Sequence, residues 1–265
     1  MVETVQRFVS LTINSFPIYD LNTLLTTGLT WQIVLNNSSS SSLSTGTFDP
    51  VAVYDIDLFD TPSTTISHLH TSGKKVICYF SAGSYEDWRP DSSQFPSSSL
   101  GNKLDNWPGE KWLDTNSATV RTIMKNRLDL AVQKKCDAVD PDNIDGYEND
   151  NGLGLTTGDA IDYVAFLANE AHLRGLGCGL KNGREIVGNV LSMVEFEVNE
   201  QCVQYNECNR YSAFITAGKP VFHIEYLNDT TRNSAGIKSF CDAAGEEGFS
   251  TVIKNMGLDE FYETC

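Results

Sequence analysis

Short apolar runs and amphipathic stretches alternate along the chain from about residue 30 onward. Apolar runs of roughly four to eight residues between turn-forming residues predict strands, and apolar residues spaced three and four apart predict helices. The helical spacing is clear after Ser117, where residues 120, 123, 124, 128 and 131 are apolar. The pattern predicts strands at 31–35, 51–56, 75–80, 111–113, 137–139, 177–180, 193–198, 220–226 and 250–254, and helices at 64–72, 117–135, 157–174, 209–217 and 234–246.

This alternation of strands and helices predicts a parallel sheet with helices packed outside it. No G-x-G-x-x-G motif follows the first strand, which argues against a dinucleotide-binding open sheet. We therefore predict an α/β protein with a (β/α)8 TIM-type barrel. The nine strand candidates exceed the eight that a closed barrel needs, so one additional strand is expected. Residues 1–28 are predicted to be an N-terminal arm, and residues 29–265 the barrel domain, with a Ser-rich loop at 36–47.

The net charge of the chain indicates which classes of binding partner to expect. The chain has 265 residues, a formal net charge of −16 and a pI near 4.5. Such an acidic protein is not expected to bind nucleic acid, and it suits a cationic or neutral ligand. No apolar run approaches the roughly 18 residues that a membrane-spanning helix requires.

Seven cysteines without a C-x-x-C pair predict disulfides rather than a zinc site, with one thiol left over. We expect Cys202 to pair with Cys208 and Cys241 with Cys265. The third predicted pair is Cys136 with Cys178, each beside a predicted strand, which leaves Cys78 as a buried free thiol.

Three N-glycosylation sequons, at Asn36, Asn37 and Asn228, agree with the cysteines in predicting a secreted protein. Residues 1–27 show no basic segment followed by an apolar core, so no signal peptide is visible there. Secretion is therefore an expectation from cysteines and sequons alone.

Candidate chemistry lies where the predicted strands end, because active sites of such barrels form at the C-terminal ends of the strands. Asp140 and Asp142 share one face of a strand, and Pro141 between them forces that strand to end or to run along an edge. Other polar residues at or after strand ends are Asp55, Asp57, Asp114, Asn143, Lys181, Asn182, Glu197, Asn199, Glu200, Glu225, Tyr226, Lys254 and Asn255.

Carboxylates with aromatic residues and no cofactor motif predict a glycoside hydrolase, in which one acid protonates the leaving oxygen and another acts as nucleophile or base. The alternatives fit less well. A calcium loop is broken by Ile144 and Asp145, the histidines form no H-E-x-x-H, and Ser84 lacks the second glycine of a G-x-S-x-G motif. We predict neither a metal nor a cofactor.

Six blocks in the same order resemble one known family. They are YDIDLFDT at 54–61, VICYFSAGSYEDWRPD at 76–91, DAVDPDNIDGYEN at 137–149, GLKN at 179–182, FEVNEQC at 196–202 and VFHIEY at 221–226. These blocks resemble the glycoside hydrolase family 114 endo-α-1,4-polygalactosaminidases over about residues 28 to 258. The resemblance implies a secreted (β/α)8-type barrel that hydrolyses chains of α-1,4-linked galactosamine, with two catalytic acids that match Asp142 and Glu200.

The expected mechanism is retaining, with Asp142 as nucleophile and Glu200 as general acid/base. Asp140 is expected to tune Asp142 or to orient a neighbour, and an exchange of roles between Asp140 and Asp142 stays open. The resemblance implies that carboxylates such as Asp55, Asp57 and Glu225 pair with ammonium groups of a cationic polysaccharide. Two alternatives stay open: a barrel that binds sugar without catalysis, and a hydrolase of another amino-sugar polymer. We expect a monomer. The full substrate-binding set is Asp55, Asp57, Tyr79, Asp140, Asn143, Lys181, Asn182, Glu225 and Tyr226.

Overall fold

The computed structural model describes residues 25–36, 43, 46–227 and 234–265. Most of the predicted arm at 1–28, most of the Ser-rich loop at 36–47, and the sequons at Asn37 and Asn228 lie outside the described residues. The division of the chain at residue 28 therefore stays a prediction.

The described residues contain twelve strands and six α-helices. In chain order the strands are β1 (Trp31–Val34), β2 (Val53–Asp57), β3 (Lys75–Ser81), β4 (Ser84–Glu86), β5 (Leu100–Lys103), β6 (Glu110–Leu113), β7 (Ala138–Asp142), β8 (Gly177–Lys181), β9 (Phe196–Glu200), β10 (Val221–Tyr226), β11 (Ser250–Lys254) and β12 (Glu263–Thr264). The helices are α1 (Ser63–Thr71), α2 (Ala118–Lys134), α3 (Thr157–His172), α4 (Val187–Val190), α5 (Ser212–Thr216) and α6 (Ser234–Glu246). Among them, no helix is long and apolar enough to cross a membrane.

The main sheet has nine strands in the order β1-β2-β3-β7-β8-β9-β10-β11-β12. Neighbours from β1 to β11 run parallel, and only β12 is antiparallel, against β11. The sheet curls so that its ends meet: the Trp31 indole donates to the Ser250 carbonyl at 2.7 Å, and Lys254 Nζ donates to Gln32 Oε1 at 2.9 Å. This arrangement confirms the predicted (β/α)8 TIM-type fold.

One of the nine strand candidates does not belong to the main sheet. The candidate at 111–113 is β6, which lies between β4 and β5 in a separate antiparallel sheet. Between β3 and β6 the chain contains only two single-turn 3₁₀-helices, at Ser92–Gln94 and Ser97–Ser99, and no α-helix. Without an α-helical crossover a strand pairs antiparallel with its chain neighbours. We call residues 82–113 the side sheet. The ninth strand of the main sheet is β12.

Side chains alternate between the two faces of each barrel strand. Val53, Ile77, Ala138 and Phe196 belong to one apolar cluster inside the barrel. Residues one position along, such as Tyr54, belong to a second cluster that also contains the buried apolar residues of helices α1 to α5. At the C-terminal ends of β2, β3, β7, β8 and β9, the inward positions change from apolar to polar, and this change creates the site.

Two buried arginines attach the side sheet to the barrel. Arg89 donates from both terminal nitrogens to Asp57 at 3.0 and 2.7 Å, and from Nε to Glu86 at 2.8 Å. Arg127 on α2 donates to both carboxylate oxygens of Asp91 and to the Ser81 carbonyl, the last at 2.6 Å. Charges this deeply buried are tolerated because each guanidinium has partners for several of its hydrogens.

The disulfides agree with two of the three predicted pairs. Cys202 bonds to Cys208 and Cys241 to Cys265. The third pair was predicted wrongly: Cys136 bonds to Cys78 on β3, and Cys178 on β8 is the buried free thiol. In the sheet, Val139 of β7 pairs with Cys78 on one side and with Cys178 on the other, so both cysteines flank the strand that follows Cys136.

Removing the Cys78–Cys136 bridge should destabilise the protein, because it closes a loop with a sequence separation of 58. For the double variant Cys78→Ala/Cys136→Ala we expect a loss of about 4 kcal/mol in unfolding free energy, by the chain-entropy relation. Denaturant unfolding measures this loss. Cys178→Ala is the control and should change stability by much less. Peptide mapping without reduction that finds Cys178 in a disulfide would contradict the assignment.

Candidate active site

Three neighbouring strands each end on a charged residue that points into the mouth of the barrel. β7 ends at Asp142, β8 at Lys181 and β9 at Glu200. The next residues, Asn143, Asn182 and Gln201, all have positive φ angles of 61°, 53° and 62°. Left-handed backbone is uncommon outside glycine, and asparagine adopts it more readily than most residues. The same local turn therefore ends three adjacent strands directly after the charged residue.

Lys181 connects the two candidate catalytic acids. Its Nζ lies 3.2 Å from Asp142 Oδ1 and 3.3 Å from Glu200 Oε2. These two carboxylate oxygens are therefore no further apart than the sum of the two distances. The Lys181 side chain is only 2 % exposed, whereas those of Asp142 and Glu200 are 17 % and 24 % exposed. The acids thus face the solvent side, and the ammonium lies beneath them.

Neutral donors hold the other oxygens of these acids. Tyr79 donates its hydroxyl to Asp142 Oδ2 at 2.8 Å, and the Asn143 backbone N–H donates to Asp142 Oδ1 at 2.7 Å. Tyr226 donates its hydroxyl to Glu200 Oε1, and Asn182 Nδ2 donates to Glu200 Oε2 at 3.2 Å. Asn182 Oδ1 also accepts the Glu200 backbone N–H at 2.9 Å. Each acid is therefore fixed from two strands.

The electrostatics keep these donors protonated. Burial is the main cause that raises the pKa of Tyr79 well above its usual value, and the negative charge of Asp142 adds to it. The pKa of Tyr226 is raised by burial and by Glu200. Burial would lower the pKa of Lys181, but Asp142, Glu200 and Asp140 outweigh it and raise that pKa well above its usual value. Lys181 is therefore a permanent cation.

Three carboxylates were predicted to pair with substrate ammonium groups, but all three are buried and two of them already have partners within the protein. This corrects that part of the prediction. Asp57 is 2 % exposed and is committed to Arg89. Glu225 is 0 % exposed, lies on the helix-facing side of β10, and accepts from His223 at 2.9 Å and from the Val203 N–H at 2.8 Å. Asp55 is 0 % exposed inside the barrel. None of them can contact a polymer at the surface.

The remaining members of the predicted set come together. Tyr79, Lys181, Asn182 and Tyr226 all contact Asp142 or Glu200 as described above. Asn143 contacts Asp142 through its backbone, while its side chain donates to Ser81 Oγ at 2.9 Å. Asp140 is fully buried and lies deeper in the barrel than Asp142 on the same strand face.

A hydrogen-bonded chain that the sequence did not predict runs from Asn143 into the side sheet. Ser81 and Ser84 share a hydrogen bond of 2.6 Å between their hydroxyls, and Ser84 Oγ donates to Glu110 Oε2 at 2.6 Å. Gly83 allows this turn to approach, because a Cβ there would lie 1.7 Å from the Asn143 carbonyl oxygen. The serines lie in the conspicuous SAGS segment, but no sequence signal points to Glu110.

Glu110 is a buried acid close to the site. Burial is the largest cause that raises its pKa to about 7; Ser84 opposes the shift, and the charges of Glu86 and Asp142 add to it. Glu86 is its partner across β4 and β6. The two acids remain compatible because Glu86 is paired with Arg89.

The described residues contain one group of atoms with the spacing of a metal site, from Cys202, Cys208 and His223, all within 4.8 Å of one another. The two cysteines form a disulfide, so they offer no thiolate to a metal. The group is instead part of the packing around His223, whose Nδ1 lies 3.0 Å from Thr251 Oγ1.

A parallel barrel with two carboxylates at the C-terminal ends of its strands has the architecture and the site of a glycoside hydrolase. Comparison with known families supports that class: the model of glycoside hydrolase family GH114 matches residues 20–265. The chain belongs to this family and is a glycoside hydrolase. A search of curated protein sequences finds no match.

Two solved structures are similar to this chain. Ega3 of Aspergillus fumigatus, solved in complex with galactosamine, is 51 % identical to this chain, with 91 % of this chain and 97 % of that chain covered and a TM-score of 0.83. The glycoside hydrolase domain of PelA from Pseudomonas aeruginosa is 14 % identical, with 89 % and 97 % covered and a TM-score of 0.68. The second likeness concerns the fold alone.

Glu110 should make stability depend on pH. Its folded-state pKa of about 7 lies above the value near 4.5 expected when it is exposed. The folded protein therefore holds this proton more tightly, and the stability it contributes at low pH is lost as the pH rises to about 7. For Glu110→Gln we expect a smaller loss between pH 4.5 and 7, by up to roughly 3 kcal/mol at about 1.4 kcal/mol per pKa unit.

Denaturant unfolding of both proteins across that pH range measures the difference. Glu247→Gln, on the partly exposed turn after α6, is the matched control and should follow the unmodified protein. Equal pH slopes for Glu110→Gln and the unmodified protein would contradict the raised pKa.

Proposed function

We propose that this protein is an endo-acting glycoside hydrolase that cleaves polymers of α-1,4-linked galactosamine. The observation that carries the proposal is the pair of partly exposed carboxylates, Asp142 and Glu200, held on either side of Lys181 at the mouth of the barrel. The substrate class is supported by 51 % identity to Ega3, which was solved in complex with galactosamine.

Charge complementarity supports a cationic substrate. The protein carries a formal charge of −16, and an unacetylated galactosamine unit carries an ammonium group. The long-range field of such a protein raises the local concentration of an oppositely charged polymer. Attraction of this kind is screened by salt, with a Debye length of about 8 Å at physiological ionic strength.

The hydrogen bonds support different roles for the two acids. Asp142 accepts hydrogen bonds from Tyr79 and from the Asn143 backbone and pairs with Lys181, so its carboxylate is held in one position. A rigidly held carboxylate suits a nucleophile. Glu200 is more exposed and has the longer side chain, which suits a group that gives up a proton and takes one back.

In the proposed first step, Asp142 forms a bond to the anomeric carbon while the glycosidic bond breaks and Glu200 gives its proton to the leaving oxygen. In the second step, Glu200 removes a proton from water, the water oxygen bonds to the anomeric carbon, and the bond to Asp142 breaks. Retaining enzymes separate their carboxyl groups by about 5–5.5 Å and inverting enzymes by about 6.5–9.5 Å. The bridge through Lys181 favours the shorter class.

We also propose that the protein is secreted and acts as a monomer. Three disulfides in the described residues suit an oxidising compartment. The site is built from strand ends of a single chain, so a second copy is not needed to complete it. Size-exclusion chromatography with light scattering measures the oligomeric state, and a dimer mass would contradict the monomer.

Asp142→Asn and Glu200→Gln should each abolish most of the polymer cleavage, with losses of roughly 10²–10⁴-fold or more, because each removes a proton-transfer or bond-forming group. Mass spectrometry of the products from partially deacetylated α-1,4-galactosamine polymer measures the cleavage. Asp60→Asn, an exposed site, is the control and should retain activity. Preferential cleavage of another amino-sugar polymer would contradict the substrate assignment. If the protein cleaves none of these polymers, the proposed catalytic activity is contradicted.

The proposed roles also predict the stereochemistry. A covalent intermediate on Asp142 inverts the anomeric carbon twice, so the first-formed reducing end should be the α-anomer. Proton NMR during the first minutes of hydrolysis distinguishes the anomers before they interconvert. If the β-anomer forms first, the mechanism is inverting and Asp142 is a general base rather than a nucleophile.

A further inference from the structure

Two acids are buried below the site without a hydrogen-bond partner that would explain their burial. Asp55 on β2 and Asp140 on β7 are both 0 % exposed, and none of their four carboxylate oxygens has a hydrogen-bond partner among the described residues when both acids are ionised. Both strands flank β3, where Ile77 is the register partner of Asp55 and Tyr79 that of Asp140. All four side chains point into the barrel.

Both side chains point into the barrel from strands on either side of β3, and a hydrogen bond between the two carboxyl groups contributes to the pKa shift of each. A carboxylate only accepts hydrogen bonds, so this contact cannot form between two ionised acids. Two like charges in a buried space are also costly, and an unpaired buried carboxylate is among the most expensive groups in a protein interior. One proton between the two acids removes both problems.

We propose that Asp55 and Asp140 share a single proton, carried by Asp55, and that the pair positions Lys181 between Asp142 and Glu200. The inference deepens the proposed function and rests on it for the positioning role. Asp55 and Asp140 are positioning residues, because they reach the reacting groups only through the ammonium of Lys181.

The surroundings favour the proton on Asp55. β7, which carries Asp140, is the direct neighbour of β8, which carries Lys181, whereas β3 and β7 lie between β2, which carries Asp55, and β8. The ammonium is therefore closer to Asp140 and stabilises its negative charge, while burial raises the pKa of both acids. Lys181, Asp142 and Glu200 all act on Asp140 from the mouth of the barrel. Asp140 also acts through the sheet on two groups on its helix-facing side, Glu197 of β9 and Cys178 of β8. Its charge raises the pKa of each beyond what burial does.

The position of the proton determines the charge below Lys181. With Asp55 neutral, Asp140 keeps one negative charge and opposes the pull of Asp142 and Glu200 on the ammonium. Without that charge, Lys181 is drawn toward Asp142 and Glu200 and holds both more tightly, so that the Glu200 carboxyl group is less available to the leaving oxygen. With a second charge, Lys181 is drawn to the barrel interior and leaves both acids unpaired.

The first test is spectroscopic and does not depend on activity. The infrared spectrum of the full-length protein at pH 7, minus that of Asp55→Asn, should show the carbonyl stretch of a protonated carboxylic acid. Glu197→Gln is the matched control, because Glu197 is equally buried and unpartnered but lies on the helix-facing side of β9. The band that the Glu197→Gln substitution removes should still be present in the spectrum of the Asp55→Asn variant. A difference spectrum with only ionised carboxylate bands would overturn the shared proton.

The second test compares amide substitutions on the galactosamine polymer. In Asp55→Asn, the side-chain amide can donate to Asp140 in place of the protonated acid, so kcat should fall by less than about tenfold. Asp140→Asn removes the charge below Lys181 and should lower kcat by roughly 10²-fold or more with little change in KM, as expected for a group that acts on the transition state. Circular dichroism confirms that each variant is folded.

The two tests separate the failures. Equal losses for both amide variants, or a larger loss for Asp55→Asn, would overturn the placement of the charge on Asp140. An unmodified protein that cleaves no polymer would contradict the proposed function while leaving the infrared result interpretable on its own.

Discussion

The site depends on one buried cation among several acids. Lys181 is almost fully inaccessible, yet it contacts both Asp142 and Glu200 and acts on Asp140 below them. Removing a charge from water is costly unless opposite charges and hydrogen bonds compensate. Here the compensation is mutual, because the same ammonium allows acids to collect at neighbouring strand ends without repelling one another. The remaining polar groups of the site are neutral hydroxyl and amide donors.

The barrel provides this arrangement through two simple features. The alternation of side chains along each strand places every second residue inside, so Asp140 and Asp142 share the interior with Lys181 and Glu200. The left-handed residues at 143, 182 and 201 then end three neighbouring strands directly after a charged residue. Asn143 and Asn182 also use their side chains, one to reach the serines of the side sheet and the other to hold Glu200.

The acidic character of the chain has more than one physical role. Asp57 is fixed by Arg89, which attaches the side sheet to the barrel. Glu110 is buried with a raised pKa at the end of the serine chain, and Glu225 is buried in the helix layer with His223. Only a minority of the strand-end carboxylates remain available to a substrate. A count of acids at strand ends therefore overestimates the binding surface.

The sequence by itself determined the class of fold, because the periods of apolar residues distinguish strands from helices and their alternation requires parallel pairing. It also predicted which stretches form the site, since strand ends meet at one face of a barrel. Tertiary structure decided what the pattern cannot contain: which of two flanking strands supplies the cysteine for Cys136, whether 111–113 joins the barrel, and which carboxylates are solvent-facing. These depend on contacts between residues far apart in the chain. Asp55, Asp57 and Asp142 look alike in sequence, and only their neighbours in space make Asp55 protonated, Asp57 ion-paired and Asp142 partly exposed at the mouth of the barrel.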